Sequence, residues 1–270
     1  MRATWVVFKR ELALYFRSPI AYAVAFAIYF FIGWLFSGNL IQAIQQNATL
    51  GQNPFGGQPI PATLLLNATQ LITFLMFLIG PLLTMRLVAE ENREGTLEVL
   101  MTLPMNESAF VVGKFFAVWA YYTVLLLLTL VQVLMLSWVG VLDYGTVFTS
   151  YLGAWLYGGA ALAICMIWSA TTEDQVIAAF LGATTILVLY LSDIGAFYVQ
   201  NLTSTQTGAA AGSVANFLSA FFRQIGLSTH YQTTLVQGLI RAQDIAYYVL
   251  MMIGALFITV RIVETRRWRQ

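Results

Sequence analysis

Six stretches of this chain run for about twenty residues almost without charge, the length at which an α-helix crosses a ~30 Å hydrocarbon layer. They cover residues 20–41, 64–85, 115–139, 147–168, 176–200 and 245–263; Asp193 and Arg261 are the charges they contain, both toward a segment end. The runs are continuous rather than alternating, which selects helices over the strands of a membrane barrel. Composition agrees: apolar types make up 59% and charged types 9%, against about 25% charged in a globular domain. A water-facing surface cannot be covered with so few charges. The expectation is an all-α integral membrane protein with six transmembrane helices.

The formal net charge of +1 carries no basic excess of the kind that binds nucleic acid. Cys165 is the single cysteine and His230 the single histidine, so disulfide scaffolds, zinc ribbons and iron–sulfur sites are excluded and no metal or cofactor is expected on this chain. Where the charges lie is more informative. Arg2, Lys9, Arg10 and Arg17 precede the first run; Arg86, Arg93 and Lys114 fall between the second and third; Arg261, Arg266, Arg267 and Arg269 end the chain. Arg223 and Arg241 fall on the other side. This bias predicts that both termini are cytoplasmic in a plasma (inner) membrane.

Residues 1–19 place basic residues ahead of an apolar run, as a secretion signal does, but the run is longer than 20 residues and has no Ala-x-Ala site, so an uncleaved helix is expected. At ~100° per residue, Trp5, Phe8, Leu12, Tyr15 and Phe16 fall within one apolar arc. Lys9 sits at the edge of that arc, and Arg10 and Arg17 project elsewhere. The pattern fits an amphipathic helix on the membrane surface that ends at Pro19; a plain extension of the first span is the alternative.

Residues 37–63 carry no charge and contain Pro54, Gly56, Gly57, Pro59 and Pro61, which reads as a turn-rich outer loop. Between the fifth and sixth spans, Val214–Ile225 and Thr234–Ile240 are apolar but too short to cross. They form either a re-entrant helical pair or a cap on the bundle. Phe217, Phe221, His230, Arg241 and Asp244 are its candidate outer-gate residues.

Arg86 to Lys114 concentrates charge: Arg86, Glu90, Glu91, Arg93, Glu94, Glu98, Glu107 and Lys114 all lie there. Glu90, Glu94 and Glu98 recur every four residues, which on a helix makes an acidic ridge beside an apolar patch of Leu97, Leu100 and Met101. Leu103-Pro104 breaks that helix, and Asn106 with Glu107 caps the next. An acidic edge beside an apolar knob suits a groove on a soluble partner; a solvated elbow is the bland alternative.

The string Glu91-Asn92-Arg93-Glu94-Gly95-Thr96-Leu97-Glu98-Val99-Leu100, followed by Leu103-Pro104 and Val112-Gly113-Lys114, resembles the loop after the second helix of ABC-2 type transporter permeases. The tail His230-Tyr231, Gly238-Leu239-Ile240-Arg241, Asp244 and Val260-Arg261-Ile262-Val263-Glu264 is similar to the gliding-motility-associated branch. The resemblance implies a homodimer or heterodimer of permease subunits docked to a separate ABC ATP-binding subunit, which holds the ATP and magnesium. It makes Glu94, Gly95, Thr96 and Glu98 coupling elements, together with the interfacial helix. Glu90, Glu91, Arg93, Leu97, Leu100 and Pro104 complete the candidate coupling set.

The chain has no Gly-x4-Gly-Lys-Ser/Thr string, and Lys9 and Lys114 are its only lysines, so it binds no nucleotide through a phosphate loop of its own. Two other functions fit the composition: a pore subunit not driven by ATP, and, more remotely, an intramembrane protease built on Ser213 and His230. Asp193 reads as an anchor near the outer interface, and Glu173-Asp174 as an inner turn. Ala154, Gly158, Gly159 and Ala163, with Ala178 and Gly182, allow close helix approach within the subunit or at a dimer seam. Nothing in the spans names the transported substrate.

Overall fold

The structure is a computed structural model and describes residues 2–50, 60–95, 106–139, 143–204 and 209–267. The helices are α1 (Arg2–Arg17), α2 (Pro19–Leu50), α3 (Ile60–Thr84), α4 (Ala89–Arg93), α5 (Glu107–Leu128) and α6 (Leu130–Val139). They continue with α7 (Tyr144–Thr171), α8 (Gln175–Ser204), α9 (Ala209–Ile225), α10 (Leu227–Gln232), a 3₁₀ turn (Leu235–Gln237) and α11 (Ala242–Arg267). No strand occurs among the described residues, and six helical segments there are long and apolar enough to cross a membrane. The fold is all-α, as expected for an integral membrane protein.

The central helix is α7. It packs against α3, α5, α8 and α11, and its surface is small where neighbours press hardest. A Cβ on Gly153 would sit 2.8 Å from the Tyr231 ring, one on Gly158 2.2 Å from the Tyr122 ring, and one on Gly159 2.8 Å from Met252 Sδ. The small residues of this helix therefore serve packing inside the chain. Without water to drive apolar association, close approach and cross-helix hydrogen bonds hold such bundles. Tyrosines supply many of the latter. Tyr29 donates to the Leu125 carbonyl (2.5 Å), Tyr121 to Ala21 (2.9 Å), Tyr122 to Ala154 (2.9 Å) and Tyr248 to Leu227 (2.7 Å).

Several sequence expectations are corrected. The first outer connection is helical as far as Leu50, because residues 40–46 are mostly Leu, Ile, Gln and Ala with no proline before Pro54. Residues 60–63 of it begin α3, and 51–59 lie outside the described residues. The third span is not one helix: it breaks at Thr129, whose hydroxyl donates to the Leu126 carbonyl (2.6 Å) and meets Tyr151 Oη at 3.1 Å. A threonine hydroxyl bonded to its own preceding turn leaves the helix continuous at Thr123 and Thr185, so the contact with Tyr151 is what sets Thr129 apart.

The short apolar segments also differ from expectation. Val214–Ile225 is helical within α9, but the second helix is Leu227–Gln232, ahead of the apolar run that was expected to form it. Residues 235–237 form only a 3₁₀ turn, which Gly238 ends at φ +86°, a conformation that favours glycine. Helix α9 runs back along α8, and the Ser228 hydroxyl donates to the Tyr190 carbonyl (3.0 Å). Tyr190 lies fourteen residues before the end of α8 at Ser204 (204 − 190), or ~21 Å along the helix at 1.5 Å per residue. The segment thus lies beside the bundle rather than only on top of it.

A candidate coupling joint on the terminal face

Helix α1, the α3–α4 elbow and the last turns of α7 and α11 meet on one face of the bundle, here called the terminal face. Helix α1 is separated from α2 by non-helical Ser18 and packs chiefly on α5. Gly113 sets that contact: a Cβ there would lie 2.9 Å from the Thr4 carbonyl oxygen and 3.0 Å from Val7. The arc expected on the membrane surface is divided: Leu12 and Tyr15 pack against the bundle, and Trp5 and Phe16 face outward. Val7 and Glu11 are the buried residues of α1, while Trp5 and Phe16 are 56% and 42% exposed. Those aromatics are left to the surroundings, with Trp5 stacked on Phe8 (5.2 Å) and the Lys9 amine 5.3 Å from the Trp5 ring centre.

Glu11 is the surprise. It is the only acid among the first 89 residues, and it is buried against Lys114 of α5. Glu11 Oε1 and Glu91 Oε1 each accept from both Arg10 Nη2 and Lys114 Nζ, at 2.8 and 3.0 Å for Glu11 and at 2.9 and 3.0 Å for Glu91. Two acids and two bases therefore close a neutral ring that ties α1, α4 and α5 together. Lys114 is 2% exposed, and its ammonium also lies 4.9 Å from the Phe110 ring centre. Burial lowers the affinity of the Arg10 guanidinium for its proton, but the hydrogen bonds and charge of Glu11 and Glu91 outweigh that and hold it above its ordinary value.

Two further contacts anchor this ring to the bundle. Ser169, near the end of α7, accepts from the Val88 and Ala89 amides (3.2 Å each) and donates to the Met85 carbonyl (3.2 Å). One buried hydroxyl therefore satisfies backbone groups at the α3–α4 elbow that no helix ladder reaches. Tyr15 donates to the Leu83 carbonyl (2.5 Å) and stacks on Tyr121 at 5.0 Å; burial raises its phenol above the ordinary range. Replacing Ser169 with alanine is expected to cost about 1–3 kcal/mol, since it strands buried backbone donors. Hydrogen exchange should then speed up at Val88 and Ala89 while the amides of α7 stay protected.

The candidate coupling residues divide accordingly. Glu91 and Arg10 turn inward into the ring. Arg93 and Glu94 are exposed, and Glu90 is half-buried. The acidic ridge expected on one continuous helix does not form: α4 ends at Arg93 and Gly95 is left-handed at φ +68°, so Glu94 sits in the turn that stops the helix. Thr96, Leu97, Glu98, Leu100 and Pro104 lie outside the described residues. Asn106 holds the N-cap position of α5 in extended conformation but its side chain makes no capping hydrogen bond, Glu107 lies in the first turn, and Glu173 and Asp174 are exposed in the turn between α7 and α8.

At the opposite end, His230 Nδ1 and Asp244 Oδ1 are 2.8 Å apart, the Thr234 hydroxyl donates to Asp244 Oδ2 (2.7 Å), and the His230 ring stacks on Tyr247 at 4.1 Å. Phe217, Phe221 and Arg241 are exposed and do not join that cluster. Asp193 lies within α8, but its side chain is outside the described residues, as is that of Ser213. Among the described residues no three His, Cys, Asp or Glu side chains converge as metal ligands would.

The described residues thus form a multi-pass helical bundle whose charged elements are joined at one face. The family model for ABC-2 family transporter protein matches residues 5–263, and the chain belongs to that family. Members are membrane permease subunits of ABC transporters and are not themselves catalytic. No curated protein matches the chain.

Proposed function

We propose that this chain is the membrane subunit of an ATP-driven exporter in the plasma (inner) membrane. Both termini are cytoplasmic, and a separate ABC ATP-binding subunit, which holds the ATP and magnesium, docks on the terminal face. The observation that carries this reading is the neutral ion ring. A push on the exposed turn around Glu94 reaches α1 and the span α5 together, because Arg10, Glu11, Glu91 and Lys114 hold α1, α4 and α5 as one body. The excess of basic residues on this face supports its cytoplasmic placement. Two such subunits, identical or related, would enclose the route. The α9–α10 pair, folded beside α8, is suited to a gate on the opposite face, with His230–Asp244 fixing its last turn to α11. The tail strings around His230 and Arg261 support the gliding-motility-associated branch.

Charge reversal tests the docking. Glu94→Lys combined with Glu98→Lys is expected to weaken recruitment of the ATP-binding subunit tenfold or more, read by co-purification across a salt series, with the permease itself still folded and membrane-inserted. Undiminished recruitment and transport would overturn the reading.

A further inference from the structure

The terminal face holds a cavity of about 640 Å³ between the second half of α1, the start of α2 and the end of α3, with the ion ring on one side. Its charged lining is evenly matched: Arg10, Arg17, Arg86 and Lys114 against Glu11, Glu90, Glu91 and Glu94. The ring uses Arg10 and Lys114 on Glu11 and Glu91. Among the described residues no carboxylate comes within ion-pair distance of Arg17 or Arg86, and Arg86 Nε is buried without a hydrogen-bond acceptor. Leu14, Val24 and Leu82 make the apolar part of the wall.

A buried guanidinium nitrogen without an acceptor is costly, and Arg86 Nε hydrogen-bonds to none of the four carboxylates that line the cavity. The cavity lies where a surface helix bends into the first span and where the second span ends, the depth at which phospholipid headgroups sit. Arginine binds phosphate through two parallel hydrogen bonds. Yet the unspent charges comprise two acids as well as two bases, so an anionic headgroup alone would leave Glu90 facing added negative charge. A headgroup that carries a phosphate and, a few ångströms away, a hydrogen-bonding ammonium matches both.

We propose that this cavity binds the headgroup of a zwitterionic phospholipid with a primary amine, its phosphate on Arg17 and Arg86, its ammonium on Glu90, and its acyl chains leaving along Leu14, Val24 and Leu82. The lipid so placed fills the angle between α1 and α2 and braces the joint. This inference does not depend on the ATP-binding partner, and its test needs none.

The full chain, purified in a neutral detergent, is titrated with phosphatidylethanolamine, phosphatidylcholine, phosphatidylglycerol or inorganic phosphate while its thermal unfolding midpoint is followed. The expected result is a saturable rise with phosphatidylethanolamine. Phosphatidylcholine, whose amine is methylated and donates no hydrogen bond, and phosphatidylglycerol, which has no amine, should each need about tenfold more lipid for the same rise. Arg17→Gln with Arg86→Gln should abolish the rise, and Glu90→Gln should remove only the preference for the primary amine. Because Arg86 is part-buried, the single change Arg17→Gln at exposed Arg17 repeats the test in a chain whose lipid-free midpoint is unchanged. An equal rise with phosphatidylglycerol, a rise with inorganic phosphate alone, or a full phosphatidylethanolamine response in the Arg17→Gln chain would each overturn the proposal.

Discussion

Replacing Lys114 with methionine is expected to destabilise the protein by about 3–5 kcal/mol, the range for removing one partner of a buried ion pair and leaving the other unpaired. Methionine keeps the apolar stem that packs in α5, so the effect isolates the ammonium. Glu11 then shares only half-exposed Arg10 with Glu91, and two carboxylate oxygens that Lys114 had bridged face each other across a poorly hydrated gap. Adding Glu11→Gln and Glu91→Gln to the same chain should recover most of the loss, since the penalty lies in the uncompensated charge and not in the loss of attraction. Thermal unfolding of the two variants in detergent decides this. If the single change is as stable as the parent, the ring does not hold α1 to α5. In the triple variant stability returns without the ionic link, so a fall in transport per ATP hydrolysed, with partner binding retained, would show that the ring transmits force as well as holding the fold.

A second large effect is expected at the centre of the bundle. Gly158→Val places its new Cβ at 2.2–2.7 Å from Cε1, Cζ and Oη of Tyr122, a buried ring whose hydroxyl is held by the Ala154 carbonyl. The ring must move by more than 1 Å, with loss of that hydrogen bond, in a region where α5 and α7 are already in contact. Overpacking of this kind costs about 3 kcal/mol or more at the upper end of the usual range. Removing the ring should undo part of the damage: Gly158→Val combined with Tyr122→Ala is expected to be more stable than the sum of the single changes predicts, a coupling of about 1–3 kcal/mol. Strict additivity would show that the valine is accommodated elsewhere and that the approach of these helices is not set by Gly158.

The spans were legible because hydrocarbon imposes one requirement on every residue that crosses it, and a run of about twenty apolar residues satisfies that in any fold. Their ends were less legible. Residues 40–50 are polar enough to leave the membrane but remain good helix formers, so α2 continues past the apolar run that marks it. The break at Thr129 rests on a hydroxyl that pairs with Tyr151, more than twenty residues away (151 − 129), and periodicity does not register such a partner. In the joint, charge density between the second and third spans points to Glu91 and Lys114, and the interfacial helix pattern to Arg10, but neither signal reaches Glu11. A signal existed: a solitary acid on an otherwise apolar helix face needs a cation, and Lys114 was one of two lysines available. What no local pattern gives is that Gly113 lets α1 approach closely enough for the two to meet.

The tyrosine contacts and the ion ring respond to different surroundings. Phenol-to-carbonyl bonds such as Tyr29 to Leu125 and Tyr122 to Ala154 join uncharged groups, so dissolved electrolyte has little purchase on them. In the ring, half-exposed Arg10 is the member whose contacts dissolved ions can screen, whereas Lys114 and Glu11 are buried and screened much less. Raising potassium chloride should therefore weaken the Arg10 contacts and leave the Lys114–Glu11 link in place, so that amide exchange quickens on the solvent side of α1 while α5 stays protected.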